Sequence, residues 1–261
     1  MQKPLFKFER RLFVVNRKRF LYAYVMFDER SEKLERIDTG DYTPEEYDRF
    51  LQDIRLVNRY AGDIRALKNT LLQAIKREQR REFSVLDVGA GSGELLRVVA
   101  DFARKTNRKS RLYGLELNRR SVVSIIEESK NYPEITAIRA DAFHLPFADD
   151  SFDYVICSLF THHFTDEKLV PILAEFSRVA CRKIFVIDLH RHRAAYVSYK
   201  MFCAAFRISR LVREDGSLSI LRGFKPDELE VLAGKANLKN VSVKRFFPFR
   251  LVLECGENES L

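Results

Sequence analysis

From residue 84 the chain alternates between two patterns. Five short apolar runs, 85–88, 112–115, 136–139, 152–158 and 183–188, are separated by longer segments with apolar residues at helical spacing, 93–104, 119–129 and 168–179. Continuous apolar runs mark strands buried on both faces, and strands joined through helices run parallel. The tail differs. Residues 226–236 read as a helix, and "VSVKRFFPFRLVLE" reads as two strands broken at Pro248. Strands this close in sequence pair antiparallel. The expected architecture is α/β: a mostly parallel sheet ending in an antiparallel hairpin, with helices on both faces.

Ahead of this region, "DYTPEEYDRFLQDIRLVNRY" carries a strong helix start. Thr43 is an N-cap, Pro44 suits the first helical position, and Glu46 completes a capping box. Tyr47, Phe50, Leu51, Ile54 and Val57 follow at helical spacing. A second helix is expected over 64–80, after a break at Gly62 and Asp63. Residues 1–40 fit neither period and read as a helix or as a hairpin turning near Asn16. The expected division is an N-terminal extension at 1–42, a helical cap region at 43–82 and the sheet domain at 83–256.

Between the first strand and its helix stands "VLDVGAGSGELL". A phosphate-binding P-loop needs a lysine and a hydroxyl after its last glycine; Glu94 and Leu95 stand there instead. The glycines fall at 89, 91 and 93, giving GxGxG rather than the GxGxxG of dinucleotide sites. Asp87 and Glu94 would repel an anion and attract a cation. S-adenosylmethionine fits: it carries a sulfonium and an ammonium group and no phosphate. A second acid, Glu116, ends the next strand in "RLYGLELN", where a carboxylate accepts hydrogen bonds from both ribose hydroxyls. Asp141 and Ala142 follow the third strand in "ADAFHLPFADDSFDYVICS", where an Asp could meet an adenine amino group.

Residues 83–188 resemble the class I S-adenosylmethionine-dependent methyltransferases, and most of all their ubiquinone/menaquinone-biosynthesis type. The resemblance rests on "VLDVGAGSGE", "GLELN", "ADAFHLPFADDSFDYVICS" and "LAEFSRVA". It implies a seven-stranded Rossmann-like sheet and methyl transfer. Asp87, Gly89 and Gly91 would hold the methionine end, with Ala90 and Gly93 beside them. Glu116, followed by Leu117, would hold the ribose, and Asp141 and Ala142 the adenine. Cys157 and Ser158 would lie near the sulfonium. Apart from the resemblance, Arg59 and Arg65 flank the break between the first two helices; an arginine there could clamp the methionine carboxylate bidentately, Arg59 suits a solvated helix charge, and Arg65 is the expected clamp. The chain departs from the family after "SRVA", where "CRKIFVIDL" replaces a proline-glycine-glycine turn, and in its N-terminal extension.

"LFTHHF", directly after the fourth strand, puts His162 and His163 where this family meets its acceptor. A histidine there can take a proton from a phenol or an aromatic ring carbon, so these two are the expected catalytic residues. His190 and His192 follow the fifth strand. The apolar stretch 194–213, flanked by arginines, reads as a core or lid helix over a greasy acceptor. A lid with such flanks suits peripheral contact with anionic lipid.

The chain has 261 residues, a formal charge of +9 and four scattered cysteines. No apolar run reaches the roughly 18 residues of a membrane span. "MQKPLFKFERRLF" has neither the apolar core nor the cleavage site of a signal peptide. A cytoplasmic enzyme with reduced thiols is expected, and no Cys/His cluster at ligand spacing suggests a metal. The charge suits a solvated basic face, an anionic membrane or nucleic acid. Without an RGG tract, an RNA-binding sheet motif or a zinc finger, nucleic acid ranks last. The expected activity is O- or C-methylation of a small, hydrophobic or aromatic acceptor. The alternatives are an RNA or protein methyltransferase, and a catalytically silent scaffold with this fold.

Overall fold

The computed structural model describes residues 27–256; the sequence readings before residue 27 lie outside them. The apolar runs form β1 (Glu82–Val88), β2 (Lys109–Glu116), β3 (Ile135–Arg139), β4 (Phe152–Ser158) and β5 (Ala180–Leu189). The tail supplies β6 (Ser242–Phe246) and β7 (Arg250–Gly256). They join in one sheet in the order β3-β2-β1-β4-β5-β7-β6. Pairing is parallel from β3 to β5, and β7 runs antiparallel to both of its neighbours. The expected mostly parallel seven-stranded sheet with its antiparallel hairpin is therefore present. The chain leaves β1 toward β2 on one side and later returns to β4 on the other. Open α/β sheets bind ligands at this reversal, beyond the carboxyl ends of the strands.

Among the described residues, helices α1 (Arg36–Thr39) and α2 (Pro44–Ala61) come first. The capping box of α2 is formed: Thr43 accepts from the Glu46 N–H at 3.2 Å, and Glu46 accepts from the Thr43 N–H at 3.1 Å. The helix expected over 64–80 is two, α3 (Asp63–Asn69) and α4 (Leu71–Arg77). The chain leaves helical geometry at Thr70 (φ −120°, ψ −88°), whose hydroxyl donates to the Ala66 carbonyl at 2.8 Å. Threonine can thus take a backbone acceptor for itself. Both short helices pack on the sheet with α5 (Glu94–Lys105): Leu67, Leu71, Ile75, Leu96 and Val99 meet Val85, Tyr154, Ile156 and Phe185. Helix α6 (Arg119–Glu128) follows β2. The opposite face is covered by α7 (Asp166–Val179) and α10 (Pro226–Lys235). Leu169, Ile172, Phe176, Leu229 and Leu232 pack there on Leu86, Val88, Val155 and Val186.

The stretch 194–213 is also two helices, α8 (Arg193–Ala205) and α9 (Arg210–Arg222). The corner between them has Arg207 at φ 51°, and Asp53 of α2 accepts from the Ser209 N–H at 2.7 Å. A third apolar cluster joins Cys203, Ile208 and Val212 to Phe50, Ile54 and Val57. The roof over the strand ends is therefore built from two distant segments, α2 and the α8–α9 pair. Arg191, just after β5, is fully buried and bonds both carboxylate oxygens of Glu228 and the carbonyls of Phe27, Asp28 and Gly223.

Candidate active site

Where β1 gives way to α5, the loop turns through three left-handed glycines: Gly89 (φ 73°), Gly91 (φ 59°) and Gly93 (φ 79°). It is tied to β2 by Gly89 and Ala90 N–H groups donating to the Leu115 carbonyl, at 2.9 and 3.3 Å. Two of the glycines matter for different reasons. A Cβ on Gly89 would lie 2.5 Å from the Phe160 ring, so the loop needs close approach there. A Cβ on Gly91 would meet open space, the side on which a ligand can lie against the backbone.

Asp87 and Glu116 face this loop. Glu116 accepts from the Gly91 N–H at 2.7 Å, and burial pushes its carboxyl above the usual range. Asp87 is 1% exposed, and one of its carboxylate oxygens is buried without a partner. Burial, and after it the charge of Glu116, pushes the Asp87 carboxyl up to about 8. An unpartnered buried acid beside a second acid is costly, and a cationic ligand relieves that cost where a phosphate would raise it. The residues present thus fit a cofactor with an ammonium group.

The other cofactor candidates divide. Leu117, next to Glu116, is 63% exposed and offers an apolar face beyond the strand end. Asp141 accepts from the Phe143 N–H at 3.0 Å, which turns the chain after β3, and Ala142 beside it is buried. Ser158 ends β4, level with Ile187 of β5. Cys157 is fully buried on the face of the sheet that holds Val88 and Phe224, and burial, with the charges of Asp188, Asp87 and Glu116, pushes its thiol up. Along β4 successive side chains alternate between the two covered faces, Ile156 packing on one and Cys157 on the other. Arg65 is exposed, with its guanidinium 6.0 Å from the Phe247 ring centroid in the β6–β7 turn. That turn lies beside β7, three strands from the β1 that carries Asp87.

Past the end of β4, a cavity of about 450 Å³ opens under α2, α8 and α9. Phe50, Ile54, Val57, Tyr60, Phe202 and Ile220 line it, with Leu159 and Leu189 at its base. Its polar lining includes His162, His163 and Glu35. His162 is 3% exposed. Its Nδ1 lies 2.7 Å from one oxygen of Asp188, and its N–H donates to the other at 3.1 Å. Asp188 also accepts from the Thr161 hydroxyl at 2.5 Å and from the Leu189 N–H at 2.7 Å. Burial opposes its ionisation, but His162 and these donors hold its carboxyl well below the usual carboxylate range. His163 Nδ1 lies 3.1 Å from Asp38. Although burial favours the neutral ring, Asp38 and Glu35 raise the His163 pKa.

Arg222 fixes this turn by donating to the carbonyls of His162 at 3.0 Å, His163 at 2.6 Å and also Lys33. Asp215 of α9 accepts from the N–H groups of Arg36 and Ile37, both at 2.9 Å, and so anchors the segment carrying Glu35 and Asp38. The second histidine pair has other contacts. His192 accepts from the Ala194 N–H at 3.1 Å to cap α8, and its ring stacks on Phe249. Burial, with His192 and nearby arginines, lowers the His190 pKa to about 4.

Sequence reasoning did not find Glu35, Asp38, Asp188 or Arg222. For Asp188 a signal existed: it ends an apolar run in "FVIDL", as Asp87 and Glu116 end theirs. Glu35 carries no such mark, because its neighbours in space come from the turn after β4 and from α9.

A family profile described as "Methyltransferase domain" matches residues 85–182. Among curated proteins, the demethylmenaquinone methyltransferase of Bacillus licheniformis is 25% identical over 180 residues, 64% of this chain and 73% of that protein. The plantazolicin methyltransferase BamL superposes with a TM-score of 0.63 at 15% identity, covering 83% of this chain and 92% of its own. The magnesium protoporphyrin IX methyltransferase of Synechocystis PCC 6803 superposes at 0.59 and 14% identity, covering 85% and 99%. Sheet order, glycine loop and matched residues agree: the chain carries a class I S-adenosylmethionine-dependent methyltransferase domain.

Proposed function

We propose that the protein methylates an oxygen or ring carbon of a small, largely apolar acceptor held in the cavity under α2, α8 and α9. The carrying observation is the cavity itself: about 450 Å³ of mostly apolar wall with a polar patch of His162, His163 and Glu35. Pockets of this size and character suit small molecules. A polynucleotide or protein chain would need an open groove. The relatives' names add support, since one acts on a demethylmenaquinone and another on a porphyrin. Tyr60 in the wall and Phe206 stacked on it are each about half exposed, which suits a greasy acceptor and peripheral contact with lipid.

In this reading Asp87, Glu116, Gly89, Ala90, Gly91 and Gly93 form the cofactor cradle, with Leu117, Asp141 and Ala142 toward the adenine and Ser158 near the reacting end. S-adenosylmethionine supplies an electrophilic methyl group on a sulfonium. The chain aligns the acceptor with it, excludes water with the α8–α9 roof, and lowers the cost of ionising the acceptor through His162 and His163. Asp188 holds the His162 ring in one tautomer.

Two measurements test this. Glu116→Ala should weaken S-adenosylhomocysteine binding by about tenfold or more, since charged hydrogen bonds contribute roughly 1.5–3 kcal/mol, with little change in melting temperature. Unchanged affinity would remove Glu116 from the site. Incubation with methyl-labelled S-adenosylmethionine and separate lipid-soluble, RNA and protein extracts should put the label in the lipid-soluble fraction. Label in RNA or protein would overturn the acceptor class.

A further inference from the structure

We propose that Glu35, His162 and His163 bind one divalent transition-metal ion of the zinc type in the cavity wall. One ring nitrogen from each histidine and a carboxylate oxygen of Glu35 lie within 4.8 Å of one another, and His162 Nε2 is 3.9 Å from Glu35. Metal bonds of about 2.0–2.2 Å put neighbouring ligands roughly 3–3.5 Å apart, so the three groups close by about 1 Å around an ion.

The surrounding carboxylates favour this. Metal-ligating histidines characteristically give their second nitrogen to a carboxylate, which fixes the ring and raises its basicity. Both rings do so: His162 Nδ1 to Asp188 at 2.7 Å and His163 Nδ1 to Asp38 at 3.1 Å. This leaves Nε2 of each ring for an ion. Glu35, 4% exposed, accepts from the Ser219 hydroxyl at 2.7 Å, a neutral partner. Three carboxylates therefore converge on two imidazoles in a largely buried place. Arg222 gives its donors to backbone carbonyls and stiffens the turn that carries the histidines.

Two imidazoles and one carboxylate suit zinc or ferrous iron better than magnesium or calcium, which take oxygen ligands. Three protein ligands leave a position open, and these groups line the acceptor cavity. An acceptor hydroxyl bound there would ionise more readily, with its proton passing to solvent. This role rests on the acceptor reading above; the binding of the ion does not. Glu35 lies far from "THH" in the chain, so no local spacing marks this site.

The test uses the full chain stripped with a chelator and titrated with Zn²⁺ against a chromophoric competitor, then with Co²⁺. The expected result is one equivalent bound per chain and visible cobalt d–d bands. Glu35→Gln and His163→Ala should each weaken binding at least about tenfold, and the cobalt bands should fade. His190→Ala should bind as the parent does. S-adenosylhomocysteine should still stabilise both ligand variants, showing that the fold is intact. No binding by the parent, or equal binding by Glu35→Gln, overturns the site. Methyl transfer to a lipid-soluble acceptor that persists in full after chelation removes the ion's role but leaves the acceptor reading. One bound zinc lost in Glu35→Gln, with label in RNA or protein, supports the site and overturns that reading.

Discussion

Replacing Asp87 with asparagine is expected to stabilise the free protein while crippling cofactor binding. The Asp87 carboxyl is pushed up to about 8 in the folded chain, first by burial and then by Glu116, against roughly 3.9 when unfolded. The folded state therefore keeps a proton that the unfolded state releases. The cost is absent below about pH 4 and grows until the pH reaches about 8. At roughly 1.4 kcal/mol per pH unit the upper bound is on the order of 5 kcal/mol. An asparagine amide in the same place lacks its own partners, which costs about 1–3 kcal/mol. The expected net gain is about 1–3 kcal/mol at pH 8, shrinking toward zero or below at pH 4, read from urea melts at the two pH values. Equal changes at both would mean that Asp87 ionises freely. Cofactor affinity should move the other way. Losing the charge opposite an ammonium group costs about 2–5 kcal/mol, so S-adenosylhomocysteine should bind about 30-fold weaker or worse. Binding to the parent should release a proton near neutral pH, seen as a dependence of calorimetric heat on the buffer's ionisation enthalpy.

Asp87 was legible in the sequence because the sheet and the cofactor loop are local in the chain. An apolar run, an acid and three glycines within twelve residues carry one element and one chemistry, and the parallel sheet follows from the alternation around them. Helix α2 was equally plain, since Thr43, Pro44 and Glu46 form its start within four residues. The roof was harder. Thr70 and Arg207 break two helices that the apolar spacing would run through, and the corner at Ser209 is held by Asp53, far away in α2. Cys157 shows a different limit. The register of β4 decides which of the two covered faces its side chain packs on, and a motif alone does not give that. The acceptor side combines both difficulties. His162 was visible beside the fourth strand, but its partners arrive from β5 and from the segment before α1. No spacing rule joins them.

Asp188 offers the sharpest test of that side. It accepts four hydrogen bonds, from Thr161, Leu189 and both the backbone and ring of His162, with no exposure to solvent. Asp188→Asn keeps the shape but turns an NH₂ group toward donors and removes the charge. The expected stability loss is about 2–4 kcal/mol, somewhat below that of breaking a buried ion pair outright. Turnover should fall more than stability explains. In catalytic triads the same change lets the histidine adopt the wrong tautomer and costs about 10⁴-fold; here about 10²-fold or more is expected in kcat. S-adenosylhomocysteine affinity should fall far less, because the carboxylates facing the cofactor loop, Asp87 and Glu116, stand on β1 and β2. A second variant separates positioning from bare stability. Thr161→Val removes another of the four bonds but leaves the Asp188–His162 pair. It should lose about 1–3 kcal/mol while keeping most of its turnover. If the two variants lose turnover equally at equal stability, Asp188 only holds the turn together. If Asp188→Asn alone loses it, the carboxylate acts through the orientation of His162, whether that ring takes the acceptor's proton or holds an ion against it.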